Sequence, residues 1–184
     1  MCLIRWARIV CAVEMGIKTD SILKALKEFT GAHRRFETKG RVNGIWVVDD
    51  YAHHPTEIGV TLKAALQTKP RRLICVFQPH RYTRTQLLFD EFCACFKGCD
   101  KLIVTDIYAA SEDPIEGVNS QKLAEGIKKT SGVDVEYVPS MADIENYLAA
   151  NARTGDLVMT IGAGDVYKVG EALVADLQRS NENV

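Results

Sequence analysis

The sequence predicts an α/β protein: a mostly parallel sheet with helices on both faces, preceded by a short helical remnant of another domain. Three observations carry this. From residue 45 onward five short runs have the length and the β-branched or aliphatic content of strands. A helical pattern separates each run from the next, and regular strand–helix alternation favours parallel strands covered on both faces. The first thirty residues break the pattern, because they contain a helix and no strand.

The elements follow in chain order. Thr19, Asp20 and Ser21 are expected to cap a helix, ILKALKEFTG, and GAHRR (31–35) reads as a linker. Residues 1–31 are thus the expected helical tail and residues 32–184 the second domain. IWVVDD (45–50) is the first strand. HPTEIGVTLKAALQ (54–67) is a helix with Pro55 in its first turn, where a missing N–H costs nothing. RLICVF (72–77) is a strand, and Thr85 to Lys97 a single helix with Leu88, Phe92 and Phe96 on one face. KLIVT (101–105) leads into a long polar segment, DIYAASEDPIEGVNS, and then a helix near 121–129. DVEYV (134–138) is followed by SMAD, with the Ser-x-x-Asp spacing of a capping box, and a helix to about 150. DLVMTIG (156–162) and a helix over about 165–178 complete the expected elements.

Composition excludes several classes. The chain has 184 residues, 47% hydrophobic and 26% charged, with a formal net charge of −1. A near-neutral chain has no electrostatic footprint for nucleic acid or anionic membrane. No apolar run approaches the roughly 20 residues of a membrane span, and Arg5, Arg8 and Glu14 interrupt any signal-peptide core. A cytoplasmic location is the expectation. Six cysteines without an export signal do not predict a disulfide framework. CACFKGC lacks the second ligand pair of a zinc site, so its cysteines read as small apolar residues on a helix, and no metal centre is expected.

In parallel sheets, ligands bind outside the carboxyl ends of the strands. That directs attention to residues 49–55, 78–84, 105–119 and 162–165. VVDDYAHHPTE ends a strand and opens a helix, with Asp49, Asp50, Tyr51, His53 and His54 close together. Capping explains one or two of these groups; the others suit a carboxylate that holds a ribose or an acid–base pair. Adjacent histidines diverge, which argues against one metal held by both. QPHRYTRT carries His80, Arg81 and Arg84. Two arginines three apart can converge on one anion through their planar donor forks, and the alternative is a solvated basic turn. IGAGD (161–165) is a Gly-x-Gly turn that could form an anion nest or be merely tight. Nowhere is there G-x-x-x-x-G-K-[ST], so the chain has no phosphate-cradling loop of its own.

Taken together, HRRFETKG (33–40), VVDDYAHHPTEI, FQPHRYTRT, DIYAASEDPIEGV and TIGAGDVYKVG (160–170) resemble the Mur ligase family over about residues 10 to 178. The resemblance implies a Rossmann-like C-terminal domain following the last helices of a central ATPase domain. It implies an ATP- and Mg2+-dependent carboxylate–amine ligase of peptidoglycan biosynthesis, acting through an acyl phosphate. Within the family, QPHRYTRT points to the member that adds L-alanine to UDP-N-acetylmuramate. The same resemblance implies residue roles: Asp50 on the ATP ribose, Arg35 toward the phosphates, Tyr51 and His53 facing the reaction centre, and His80, Arg81 and Arg84 on the amino acid's carboxylate. With the N-terminal and central domains absent, the isolated chain is expected to be inactive. The competing expectation is a stand-alone α/β module that binds an anion or a partner protein through the arginine edge.

Overall fold

The computed structural model describes residues 2–28 and 32–182. The chain divides into two compact units, residues 1–32 and 33–184. The first holds two helices, α1 (Cys2–Glu14) and α2 (Thr19–Glu28). Thr19, Asp20 and Ser21 form the first turn of α2 rather than preceding it, because the Ser21 and Ile22 amides bond back to Lys18 O. The expected end of this helix, at residues 29–31, lies outside the described residues. Val10, Val13, Leu23 and Leu26 remain exposed. A unit of about thirty residues is too small to bury a core of its own.

The second unit is a six-stranded sheet in the order β1-β2-β6-β3-β4-β5. Its strands are β1 (Glu37–Val42), β2 (Ile45–Asp50), β3 (Arg72–Phe77), β4 (Lys101–Val104), β5 (Asp134–Tyr137) and β6 (Asp156–Ile161). Five run parallel, as the alternation with helices predicts. The sixth, β1, is an antiparallel edge strand absent from the sequence reading. Its residues, ETKGRV, carry no apolar alternation, and a bulge falls between Thr38 and Gly40. The signal for it was the turn: Asn43 and Gly44 both take positive φ (55° and 73°), and Asn-Gly joining two strands marks a tight hairpin.

Side chains alternate along each central strand, and the two faces bury separate clusters. Val48, Leu73, Cys75, Phe77, Leu102 and Met159 face α3 (Pro55–Gln67), α5 (Phe89–Cys95) and α6 (Ser120–Ser131) through Ile58, Leu62, Phe92, Leu123 and Ile127. Val47, Ile74, Val76, Ile103 and Val158 face α7 (Met141–Asn151) and α8 (Tyr167–Glu182) through Ile144, Leu148, Val169 and Leu173. The single helix expected over 85–97 is two. The short α4 (Tyr82–Leu87) ends at Leu88, whose φ of −114° and ψ of 27° leave the helical region before α5 begins. The break still keeps Leu88, Phe92 and Phe96 against the same core.

Cys75, Cys93 and Cys99 are buried, and burial pushes the Cys95 thiol up to about 12. Cys93 and Cys95 lie on α5 as expected, whereas Cys99 is packed beyond the end of that helix. Among the described residues no three His, Cys, Asp or Glu side chains converge to hold a metal, and no helix is long and apolar enough to cross a membrane.

Candidate functional site

The chain leaves β2, β3 and β4 toward the α3/α5/α6 face but leaves β6 toward the α8 face. Loops that part in opposite directions open a crevice beside β6, the position where open α/β sheets bind ligands. Four of the flagged segments meet there.

On one side stands Arg34. Its Nε donates to Asp49 Oδ2 (2.8 Å), Nη1 to Gly164 O (2.9 Å) and Nη2 to Gly162 O (2.7 Å). The guanidinium also lies 5.1 Å from the Tyr51 ring centre and 4.6 Å from that of Tyr167. Asp49 is fully buried and accepts a second hydrogen bond from Thr160 Oγ1 (2.7 Å). This buried charge is paired and satisfied, the condition under which a buried ion pair holds a structure together. The IGAGD turn therefore presents two of its carbonyls to a cation of the protein itself. Gly164 is glycine because a Cβ there would sit 2.3 Å from Gln78 Oε1 and 2.7 Å from Tyr108 Cγ. Gln78 is itself committed: its Nε2 donates to Asp165 Oδ1 (2.9 Å), and its Oε1 accepts from the Val166 amide (3.2 Å).

Asp50 turns inward. Its two oxygens accept from the amides of Ala52 and Phe36, each at 2.8 Å, and 5% of its surface is open. Burial raises its pKa, outweighing those donors and the nearby Arg35. Here it latches the strand end to the linker, and a ribose hydroxyl would reach only its remaining lone pairs. Arg35 is exposed and lies 5.5 Å from the Tyr51 ring centre. His54 caps α3: its Nδ1 accepts from the Thr56 amide (3.3 Å), and Glu57 accepts from the His54 amide, a complete capping box with Pro55 at the first position. His53 points elsewhere. Its Nδ1 lies 2.9 Å from Tyr51 O, so Nδ1 carries a proton, and in the neutral ring the lone pair is on Nε2.

His80 stands at the centre of the other side. Its ring stacks on Tyr108 (centres 5.5 Å apart, 12° between planes) and lies 5.9 Å from the ring of His53. Arg84 Nη1 approaches His80 Nδ1 at 3.2 Å and His80 O at 3.3 Å. Arginine cannot accept, so Nδ1 accepts and the neutral ring bears its proton on Nε2. Burial lowers the His80 pKa, with Arg84, His53 and Arg81 acting in the same direction and Glu112 opposing. Arg81, with φ 74°, takes a different partner from Arg84: its Nη1 donates to Glu112 Oε1 at 3.3 Å.

The structure thus brings Arg35, Tyr51, His53, His80 and Arg84 into one line of side chains and turns Asp50 away from it. Arg81 and Arg84 do not share an internal acceptor. Sequence reasoning passed over Arg34, Tyr108 and Glu112. Tyr108 and Glu112 lay in a loop flagged only for its length. Arg34 was indistinguishable from Arg35 until the positive φ values of Arg34 and Phe36 set which of the two points inward.

Known proteins match this chain in sequence and fold. Residues 34–164 match the Mur ligase, glutamate ligase domain. The chain is 48% identical over 172 residues, 94% of its length, to the UDP-N-acetylmuramate–L-alanine ligase of Desulforamulus reducens, of which it covers 37%. It is 51% identical over 172 residues to the enzyme of the same name from Acetivibrio thermocellus, covering 94% of this chain and 36% of that one. The solved structure of the UDP-N-acetylmuramate-alanine ligase of Thermotoga maritima superposes with a TM-score of 0.79 at 26% identity, over 96% of this chain and 37% of that one. The chain therefore spans little more than a third of the curated relatives it matches, and it belongs to the Mur ligase family as a C-terminal, glutamate ligase-type domain.

Proposed function

We propose that this chain is the amino-acid-receiving C-terminal part of an ATP-dependent ligase that joins L-alanine to UDP-N-acetylmuramate in peptidoglycan biosynthesis. The observation that carries the proposal is the edge itself, where an arginine with free donors lies against a neutral, half-buried histidine. The relatives support the choice of amino acid and sugar nucleotide, since those about 50% identical over nearly the whole chain bear that one activity in their names. Residues 1–32 are then the tail of the central ATPase domain, and their exposed apolar side chains are what that domain covers. A ligase consuming ATP and a UDP-sugar acts in the cytoplasm.

The roles follow from chemistry. Arg84 receives the carboxylate of the amino acid, and His80, neutral at pH 7, adds no repelling charge beside an ammonium. His53 Nε2 has the lone pair to take a proton from that ammonium, and Tyr51 orients His53 through its carbonyl. Exposed Arg35 beside Tyr51 suits the phosphates of an ATP held mainly by domains this chain does not span, whereas Asp50, the expected ribose ligand, is turned inward with its oxygens on the Ala52 and Phe36 amides. When bound there, ATP supplies the phosphoryl group that activates the muramoyl carboxyl. Mg2+, where it accompanies ATP, would be held chiefly by the nucleotide's phosphates and water. Residues 33–184 close over the central domain to complete the site.

Turnover tests this. The chain, fused to the N-terminal and central domains of a relative, should form ADP only when both L-alanine and UDP-N-acetylmuramate are present. The 184-residue chain alone should form none. A fusion that folds but never turns over would favour an anion- or partner-binding module.

A further inference from the structure

We propose that Glu112 is a positioning residue of this edge: it caps α4 from the long loop and occupies Arg81, leaving Arg84 as the arginine that meets an incoming carboxylate. The inference rests on the proposed ligase function only for the identity of that carboxylate.

The geometry has three parts. First, α4 opens at Arg81, which makes no side-chain capping bond, so the first amides of the helix need an outside acceptor. Glu112 supplies it from 29 residues away: Oε2 accepts from the Thr83 amide at 3.0 Å, and Oε1 from Thr83 Oγ1 at 2.7 Å. Second, the same carboxylate pairs with Arg81 Nη1 at 3.3 Å. Those donors, the Thr83 amide first, hold the Glu112 carboxyl below its usual range. Ala110 and Ser111, both non-glycine at positive φ (48° and 70°), turn the loop back toward α4, a conformation that needs such a tie to persist. A parallel bridge between His80 and Tyr108, with Arg81 N donating to Tyr108 O at 2.9 Å, fastens the other end of the loop.

Third, Arg84 is differently employed. Among the described residues its Nη1 alone is engaged, with the neutral acceptors His80 Nδ1 and His80 O. No carboxylate among the described residues pairs with it. Its Nε and Nη2 remain, and they form one of the two edges through which a guanidinium grips a carboxylate with parallel hydrogen bonds. Arg81 also bonds through Nη1, but to a carboxylate, so its charge is matched inside the protein, whereas the partner of Arg84 among the described residues is neutral. A carboxylate arriving at the edge meets Arg84 first, and Glu112 sets that order.

Nitrogen-15 spectra of this chain and of Glu112→Gln test both halves, with sodium acetate as a monocarboxylate probe. In an acid titration without acetate, the Thr83 amide and Arg81 Nε–H of the unaltered chain should follow one carboxyl step, lost in Glu112→Gln and retained, displaced, in Glu112→Asp. The His80 ring, which faces His53, Arg81, Arg84 and Glu112, should titrate at lower pH in Glu112→Gln, because an opposing negative charge is gone. At neutral pH acetate should shift Arg84 Nε–H alone in the unaltered chain, and both arginines in Glu112→Gln. Thr83 and Arg81 signals indifferent to Glu112→Gln would overturn the proposal, as would Arg81 responding first in the unaltered chain, or neither arginine responding. None of these readouts requires turnover, so a failed fusion assay and a failed Glu112 assignment are separate results.

Discussion

Two arginines stand at the carboxyl edge of the same sheet and do opposite work. Arg34 is nearly enclosed, and all three of its donor nitrogens meet acceptors of the fold, one of them a fully buried carboxylate. Arg84 gives one nitrogen to a neutral histidine, and its other two donor nitrogens meet no acceptor among the described residues. Place in the fold is therefore a weak guide to function at this edge. What separates the structural Arg34 from Arg84, the arginine proposed to receive a carboxylate, is how far the protein itself has satisfied it.

The comparison predicts effects of graded size. The largest should follow Arg34→Met. Removing the cation strands Asp49 without its counter-charge, and breaking a buried pair from one side costs about 3–5 kcal/mol. Urea unfolding should show the loss. Arg34→Lys should recover only part of it, since a single ammonium cannot serve Asp49 and two carbonyls in the same geometry. Next comes Gly164→Ala. A Cβ at 2.3 Å from Gln78 Oε1 and 2.7 Å from Tyr108 Cγ forces both to move, an overpacking cost of about 1–3 kcal/mol. The ring signals of His80 should shift as its stack with Tyr108 is disturbed.

A smaller effect depends on pH. Burial and then Arg84 hold the folded His80 pKa below the ordinary imidazole value, so the unfolded chain binds the extra proton more readily. Stability from this group is whole above the unfolded pKa of about 6.5 and falls as pH drops from there to the folded pKa. The difference in unfolding free energy between the unaltered chain and His80→Gln should shrink between pH 7.5 and pH 5.5. A difference that grows on acidification would mean His80 gains a partner when charged. The smallest effect on stability should be that of Arg84→Met, within about 0.5 kcal/mol, because no carboxylate is left unpaired.

The same contrast explains what the sequence could and could not convey. The central parallel strands were legible because strands covered on both faces are written in aliphatic residues, as in RLICVF and DLVMTI, and the edge strand DVEY was legible from its polar–apolar alternation. The edge strand β1 was not, because ETKGRV packs few apolar side chains and its only signal was the Asn-Gly turn. His53, His80 and Arg84 were legible as neighbours at one edge because all three stand in strand-end loops, where open α/β sheets gather ligands. The division of labour between Arg34 and Arg35, or between Arg81 and Arg84, was not. It is decided by positive φ values at Arg34, Phe36 and Arg81 and by a glutamate 31 residues beyond Arg81, none of which a local pattern records.

The most direct test of the account puts both arginines in one experiment. Arg34→Met and Arg84→Met versions of the chain are compared with the unaltered protein by urea unfolding and by amide shifts on addition of L-alanine. The account predicts that Arg34→Met loses stability by several kcal/mol. It predicts that Arg84→Met keeps its stability and loses the response of His80 and neighbouring amides to L-alanine. A stable Arg34→Met chain, or an Arg84→Met chain that still responds to L-alanine as the unaltered protein does, would contradict it.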